Sequence, residues 1–285
     1  MRKALKHGFF SALAWTFLLA SRSLPSKGSL KLGEALGHLI LRFDVKGRRI
    51  AYGNLSSSFP SLTPKEIKGM VARCYRNLGM SIAEFSRLPR LSKEEINGMA
   101  EVEGIENLEA ALRKGRGVIL LTAHLGNWEL LGAVLAARGY EVNAIVSRLK
   151  VKGLDRLVGR IRRSIGVNPL PREALKSAVE SLKRNQILAI LADIDTRARG
   201  AFVKFFGRRA FTPIGPILIS LRTGAPIVPA FIVREGERHR VFILEPLKLE
   251  GDPPSDAQRF TELIESFVRR YPDQWIWMHR RWREV

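Results

Sequence analysis

The chain has 285 residues, 46% of them hydrophobic, which is enough to bury a full core in one large domain or two small ones and too apolar for a disordered chain. Lysine and arginine outnumber aspartate and glutamate by 48 to 27, and the net charge of +21 favours nucleic acid, anionic lipid headgroups or an acidic protein without choosing among them. One cysteine, Cys74, excludes an internal disulfide framework and a thiolate metal cluster and suits a reducing compartment; the five histidines are scattered singly, with no zinc spacing.

At the N-terminus, Arg2, Lys3 and Lys6 precede the apolar run Gly8–Ala20, and Arg22 and Lys27 follow it. A run of about 13 residues is shorter than the roughly 20 that cross a bilayer as a helix. The small residues between Ala12 and Ser21 would suit signal cleavage, but the mature chain would then be an unusually basic, nearly cysteine-free secreted protein. An uncleaved membrane-associated helix, lying in the interface or tilted, is the preferred expectation. Leu30–Phe43 either extends that platform or forms the first core helix. Residues 1–45 are accordingly expected to be a hydrophobic membrane-associated region, ahead of a domain over residues 46–285 that has a helical lead-in.

Arg48–Pro60 reads as a polar connection rich in serine. Thr63-Pro64-Lys65-Glu66 is a helix start with cap, proline at the first position and capping-box acid, and the helix should run to about Leu88 with Ile67, Val71, Cys74, Leu78, Ile82 and Phe85 on one face. Ser92 and Glu95 repeat the capping box, and Glu103–Lys114 is a short helix. Everything before Gly117 reads as helical. Gly117–Thr122 then has the look of a buried strand, and after Ala123 the apolar spacing becomes helical, with Leu130, Leu131, Val134 and Leu135 leading to a stop at Gly139. Between strand and helix lie His124, Asn127, Trp128 and Glu129, where open α/β sheets build their sites. The bland alternative makes His124 a helix cap and Glu129 a partner of the helix dipole.

Glu141–Ser147 is a second strand. Arg148–Arg163 holds seven basic residues and one acid, Asp155, with Leu154, Leu157, Val158 and Ile161 at helical spacing, so an amphipathic helix with a cationic face is expected. Ala174–Leu182 is a helix with Leu175, Ala178, Val179 and Leu182 inward. Gln186–Ala192 is a third buried strand ending in Asp193-Ile194-Asp195, on the same edge as His124 if the strands are parallel. Arg197, Arg199 and the aromatic-basic run Phe202–Arg209 follow. Thr212-Pro213 starts another helix that ends near Gly224. Ile227–Val233 and Arg240–Leu244 are strands, the second antiparallel at the sheet edge. Ser255–Gln258 caps a last helix, and Gln274–Trp282 holds three of the five tryptophans. The expected fold is thus α/β: a central, mostly parallel mixed sheet flanked by helices, preceded by the helical N-terminal membrane-associated region.

No phosphate loop, nucleophile elbow or Cys–His pair appears, so a covalent nucleophile is not evident. A histidine with a nearby glutamate remains. A carboxylate that fixes the imidazole tautomer frees the other nitrogen to take a proton from an alcohol. If both were helical, His124 and Glu129 would lie about 140° apart, so His124 should belong to the turn and fold back over the first helical turn. Acyl transfer from a thioester to a hydroxyl would need this base and cations for acidic substrate groups, for which Arg148, Arg162, Arg197 and Arg199 are available. Nothing calls for a metal or a cofactor. Two rivals stand beside this: nucleic-acid binding through Phe202–Arg209, and hydrolysis at the same histidine.

His124–Glu129 (HLGNWE), Leu191–Asp195 (LADID), Phe205-Phe206-Gly207 with Thr212, Thr223–Pro226 (TGAP) and Gln274–Trp282 (QWIWMHRRW) stand together in an order that resembles the lipid A biosynthesis acyltransferase family. These are the late lauroyl and myristoyl transferases of Gram-negative envelope assembly, within the wider lysophospholipid and glycerolipid acyltransferase group. The resemblance runs from about Gly104 to the end. It implies an inner-membrane enzyme, working at the cytoplasmic face, that moves a fatty acyl chain from acyl-acyl carrier protein to a hydroxyl of a lipid A precursor or related glycolipid. Branches of the family acylate other acceptors, including phosphatidylinositol mannosides. His124 and Glu129 match the family's catalytic pair, Arg162 best matches an arginine that matters there, and Asp193 matches the strand-end aspartate. Asp195 falls in the same motif and is expected to order the site, whereas Ile194 departs from the glutamine or histidine of many members. The implied partners are acyl carrier protein, anionic membrane lipid and a phosphorylated glycolipid acceptor, with no nucleic acid expected.

Overall fold

The computed structural model describes residues 2–195 and 199–282. Its helices are α1 (Arg2–Ser23), α2 (Ser26–Phe43), α3 (Val45–Ser58), α4 (Pro64–Arg87), α5 (Lys93–Gly98), α6 (Ile105–Leu112), α7 (Trp128–Ala137), α8 (Lys152–Ser164), α9 (Leu175–Lys183), α10 (Gly215–Thr223) and α11 (Pro253–Arg270). Its strands are β1 (Ala100–Glu103), β2 (Val118–Thr122), β3 (Val142–Val146), β4 (Val167–Pro171), β5 (Ile187–Leu191), β6 (Gly200–Phe205), β7 (Arg208–Pro213), β8 (Ile227–Glu235) and β9 (Arg238–Ile243).

Seven strands form one sheet in the order β1-β9-β8-β2-β5-β3-β4, and β6 and β7 form a separate antiparallel hairpin. All neighbours in the large sheet run parallel except β8 and β9. Every residue of β2 is buried, as a central strand covered on both faces requires. Alternation sends Ile119 and Leu121 to one face, against α4, α10, α11 and the C-terminal tryptophans, and Val118 and Leu120 to the other, against α6 and α7. The expected α/β architecture is therefore present.

Both capping boxes form: Thr63 and Glu66 open α4, and Ser92 and Glu95 open α5. In α2 the fully buried residues are Ser29, Gly33 and Gly37, Ile40 and Leu41 pack half-buried against the core, and Leu39 and Phe43 are exposed. The glycines allow two backbones to touch. A Cβ on Gly37 would stand 2.4 Å from the Tyr75 carbonyl oxygen of α4, so any other residue would push the helices apart.

Several expectations are corrected. Arg48–Pro60 is no connection: Val45–Ser58 is helical, capped by Asp44 through the Gly47 N–H at 2.8 Å, with Gly47, Ala51, Leu55 and Ser58 inward. Small inward residues hid the apolar stripe. The stretch before Gly117 is not wholly helical, because Ala100–Glu103 pairs with β9 as the outermost strand; β9 is antiparallel to β8 but not at the edge. Val167–Pro171 forms the opposite edge, where Pro169 and Pro171 are tolerated. Thr212-Pro213 closes the β6–β7 hairpin opposite Gly200 and Ala201, and the helix begins later, at Gly215. Leu175 faces outward at the start of α9. Asp252, ahead of two prolines, caps α11 in place of Ser255.

Candidate active site

Parallel pairing of β2 and β5 aligns Thr122 with Leu191, so the residues that follow each strand leave the sheet side by side. Asp193 reaches His124 from there. Its Oδ1 accepts from His124 Nδ1 at 2.8 Å, and its Oδ2 accepts from the His124 backbone N–H at 2.9 Å and from Trp275 Nε1 at 2.8 Å. Burial pushes the Asp193 carboxyl up, but the His124 ring and these three donors outweigh it and hold the group below the usual aspartate range. An ionised carboxylate only accepts, so Nδ1 carries a proton, and in the neutral tautomer this leaves the lone pair on Nε2. The His124 side chain is 22% exposed, so the imidazole is anchored on one side and reachable from outside.

The turn that carries His124 is fixed by backbone geometry. Gly126 has φ +60°, and a Cβ there would lie 2.1 Å from the Ile232 carbonyl oxygen of β8. Its N–H donates to the Gln274 carbonyl at 2.9 Å, and Leu125 bridges to Trp275. The tryptophan-rich tail thus lies directly under the turn. Trp128 meets the His124 ring edge-on at 5.0 Å.

Glu129, in the first turn of α7, does not meet His124 as expected. Its carboxylate takes both Arg162 Nε, at 3.0 Å, and an Arg162 terminal nitrogen. Burial disfavours the Arg162 charge, but the Glu129 carboxylate more than offsets this and holds the guanidinium protonated. The structure therefore couples His124 with Asp193 and Glu129 with Arg162, where the sequence suggested His124 with Glu129. The reason lies in the turn: β5 ends beside His124 in register, whereas Glu129 points from α7 toward α8.

Asp195 is buried two residues after Asp193. Arg148 is exposed just past the end of β3, on the same sheet edge. Arg199 is exposed at the start of the hairpin, and Arg197 lies outside the described residues. Arg156 and Arg160 are exposed on α8, part of the cationic face the spacing implied, and Arg160 sits over the Trp15 ring at 5.4 Å. Of the aromatic-basic run, Phe205 and Phe206 are buried with Trp275 and Trp277 and pack on the half-buried Trp282, which leaves Phe202 exposed under Arg209. A groove of about 1050 Å³ between this hairpin and α11 does not include His124.

Sequence reasoning missed Glu84, Arg234 and His239, which form a buried cluster beside the same turn. Glu84 accepts from Arg234 at 2.7 and 2.6 Å, from His239 Nε2 at 3.0 and 3.1 Å, and from Asn127 Nδ2 at 2.8 Å. Burial raises the Glu84 carboxyl, yet His239 and Arg234 together hold it at about 2. The available signals were faint: an acid among the inward residues of α4, and a basic residue closing the apolar run of β8.

The sheet edge thus brings together a carboxylate-held histidine, the N-terminus of the helix that follows it and an arginine-bound acid, an arrangement chemically able to take a proton from a hydroxyl. The chain belongs to the bacterial lipid A biosynthesis acyltransferase family, whose model matches residues 3–284. It is similar to the phosphatidylinositol mannoside acyltransferase of Mycolicibacterium smegmatis, 28% identical over 70% of this chain and 67% of that protein. It is also similar to two Escherichia coli proteins, each 27% identical. These are the lipid A biosynthesis palmitoleoyltransferase, over 88% of this chain and 84% of that protein, and the lipid A biosynthesis lauroyltransferase, over 91% and 87%.

Proposed function

We propose that the protein transfers a fatty acyl chain from acyl-acyl carrier protein to a hydroxyl of a lipid A precursor or related glycolipid, at the cytoplasmic face of the inner membrane. The observation that carries this is the 2.8 Å bond between His124 Nδ1 and buried Asp193, which leaves Nε2 as a base at an accessible edge. Nε2 takes the acceptor hydroxyl's proton as its oxygen attacks the thioester carbonyl. The tetrahedral oxyanion then collapses, an ester C–O bond replaces the C–S bond, and the departing thiolate recovers the proton from the imidazolium. Asp193 stabilises the imidazolium between these steps. The N-terminus of α7 and Arg162 supply positive potential for the oxyanion or for acceptor phosphate, with Glu129 holding Arg162 in place. Arg148, Arg197 and Arg199, with the outer face of α8, serve the acidic carrier protein, the phosphorylated acceptor and anionic headgroups.

Membrane association through residues 1–45, ahead of an acyltransferase domain over residues 46–285, is supported by apolar side chains directed outward from the first helices. Leu13, Trp15, Leu24 and Leu39 are exposed, and Leu19 is 56% exposed. Among the described residues no helix is long and apolar enough to cross a membrane, so an interfacial mode is proposed, with α8 supplying cations beside Trp15. A second acceptor, a phosphatidylinositol mannoside, is favoured by the mycobacterial relative.

The test is a product assay with acyl-acyl carrier protein and a panel of lipid A precursor, lysophospholipids and a phosphatidylinositol mannoside. Acylation of the precursor is expected. Acylation of the mannoside or a lysophospholipid alone would keep the reaction and replace the acceptor. Free fatty acid as the sole product would replace transfer with hydrolysis.

A further inference from the structure

Asn127 is 1% exposed and caps α7, its Oδ1 accepting from the Leu130 N–H at 3.2 Å. The two ends of an asparagine amide have nearly the same shape, so something must decide which end faces the helix. Glu84 decides it. A carboxylate can only accept, so Nδ2 must face Glu84 and Oδ1 must face the helix. Glu84 is in turn held by Arg234 from β8 and His239 from β9. Arg234 reaches the same turn by a second route: its backbone N–H and carbonyl exchange hydrogen bonds with the Gln274 side chain at 2.7 and 3.0 Å, and the Gln274 carbonyl accepts from Gly126. Asn127 and Gly126, three and two residues beyond His124, are thus both tied to Arg234.

We propose that Glu84, with Arg234 and His239, is a positioning group for acyl transfer: it orients the Asn127 amide and so sets the turn between His124 and the first turn of α7, where Glu129 grips Arg162. The proposal rests on the transfer function placed at His124. None of the cluster touches substrate in this scheme, so its loss should lower turnover and leave substrate binding nearly unchanged. A displacement of about 1 Å at a reacting group can cost on the order of 10²-fold in rate.

The discriminating variants are at Asn127, where Arg234 and His239 keep their partner. At an ordinary cap, Asp and Ser serve about as well as Asn. Here Asn127→Asp would set a second carboxylate against Glu84 with no donor between them, whereas Asn127→Ser supplies a cap without that repulsion. Kinetics with acyl-acyl carrier protein and lipid A precursor, and amide hydrogen exchange at Leu130, are measured for both. Asn127→Asp should lose more kcat than Asn127→Ser at similar KM and should exchange Leu130 faster. Adding Glu84→Gln to Asn127→Ser should cost less kcat than Glu84→Gln alone. Equal behaviour of the Asp and Ser variants, or an undiminished Glu84→Gln effect in the Asn127→Ser background, would overturn the proposal. The exchange readout does not depend on catalysis. If His124→Ala retains transfer, the functional assignment falls while Leu130 exchange still decides whether Glu84 sets the cap.

Discussion

Asp193 and Glu84 stand on either side of the His124 turn, and both are buried, multiply bonded and held below the usual carboxylate range. They differ in what their partners can do. Glu84 is closed in by Arg234 and His239, whose side chains are 6% and 0% exposed, so no substrate can reach either. Asp193 holds an imidazole that is 22% exposed and has a second nitrogen. A perturbed carboxylate alone therefore does not mark a reacting centre. The distinguishing feature is an ionised acid that fixes one side of a titratable partner and leaves its other side open.

The largest effect that sharpens this contrast is on rate. His124→Ala should lower acyl transfer by about 10²–10⁴-fold, the usual worth of a positioned general base, and Asp193→Asn should lose a large part of the same factor without loss of the fold. Transfer rates on variants checked by circular dichroism decide this; a folded His124→Ala protein with near-full activity would remove the mechanism.

The Glu84 side should answer in stability. Glu84→Gln leaves Arg234 buried with a neutral partner, and breaking such a pair typically costs about 3–5 kcal/mol. The pH dependence follows from the depressed carboxyl. A folded value of about 2 against a usual 4.5 means that the Glu84 contribution is complete above the unfolded value and is lost as pH falls toward 2. Urea unfolding from pH 7 to pH 2.5 should therefore show a steep acid limb in the wild type and a shallower one in Glu84→Gln. Parallel limbs would place the acid sensitivity elsewhere.

How much of this was legible in the chain depended on whether an interaction was local. β2, β5 and the two capping boxes follow from runs and spacings within a few residues. His124, Arg162 and Asp193 stood out because polar residues close apolar runs or sit in a basic helix. Their pairing did not, because partners 69 and 33 residues apart are set by sheet register and helix direction. Glu84 and Arg234, 150 residues apart, were hidden for the same reason. β4 was hidden by its prolines, and α3 by small residues that bury without looking apolar.

The smallest effect separates surface charge from the site. Reversing Arg156 and Arg160 to Glu should weaken binding to anionic vesicles and to the carrier protein in a salt-dependent way and leave kcat nearly intact, because both project into solvent. Arg162→Ala should lower turnover at every salt concentration, since Glu129 then loses its bound cation. Identical salt profiles for the two variants would place Arg162 with the surface charges.

The central claim is that Asp193 fixes the proton on His124 Nδ1 and leaves Nε2 as the base. Nitrogen-15 NMR of the histidine rings, with His124 assigned by comparison with His124→Ala, reads this directly. The expected spectrum of the neutral ring has a protonated Nδ1 with a strongly hydrogen-bonded proton and an unprotonated Nε2, and the Nδ1 proton signal should change in Asp193→Asn. A neutral ring protonated at Nε2, or a His124 spectrum that Asp193→Asn does not alter, would contradict the account.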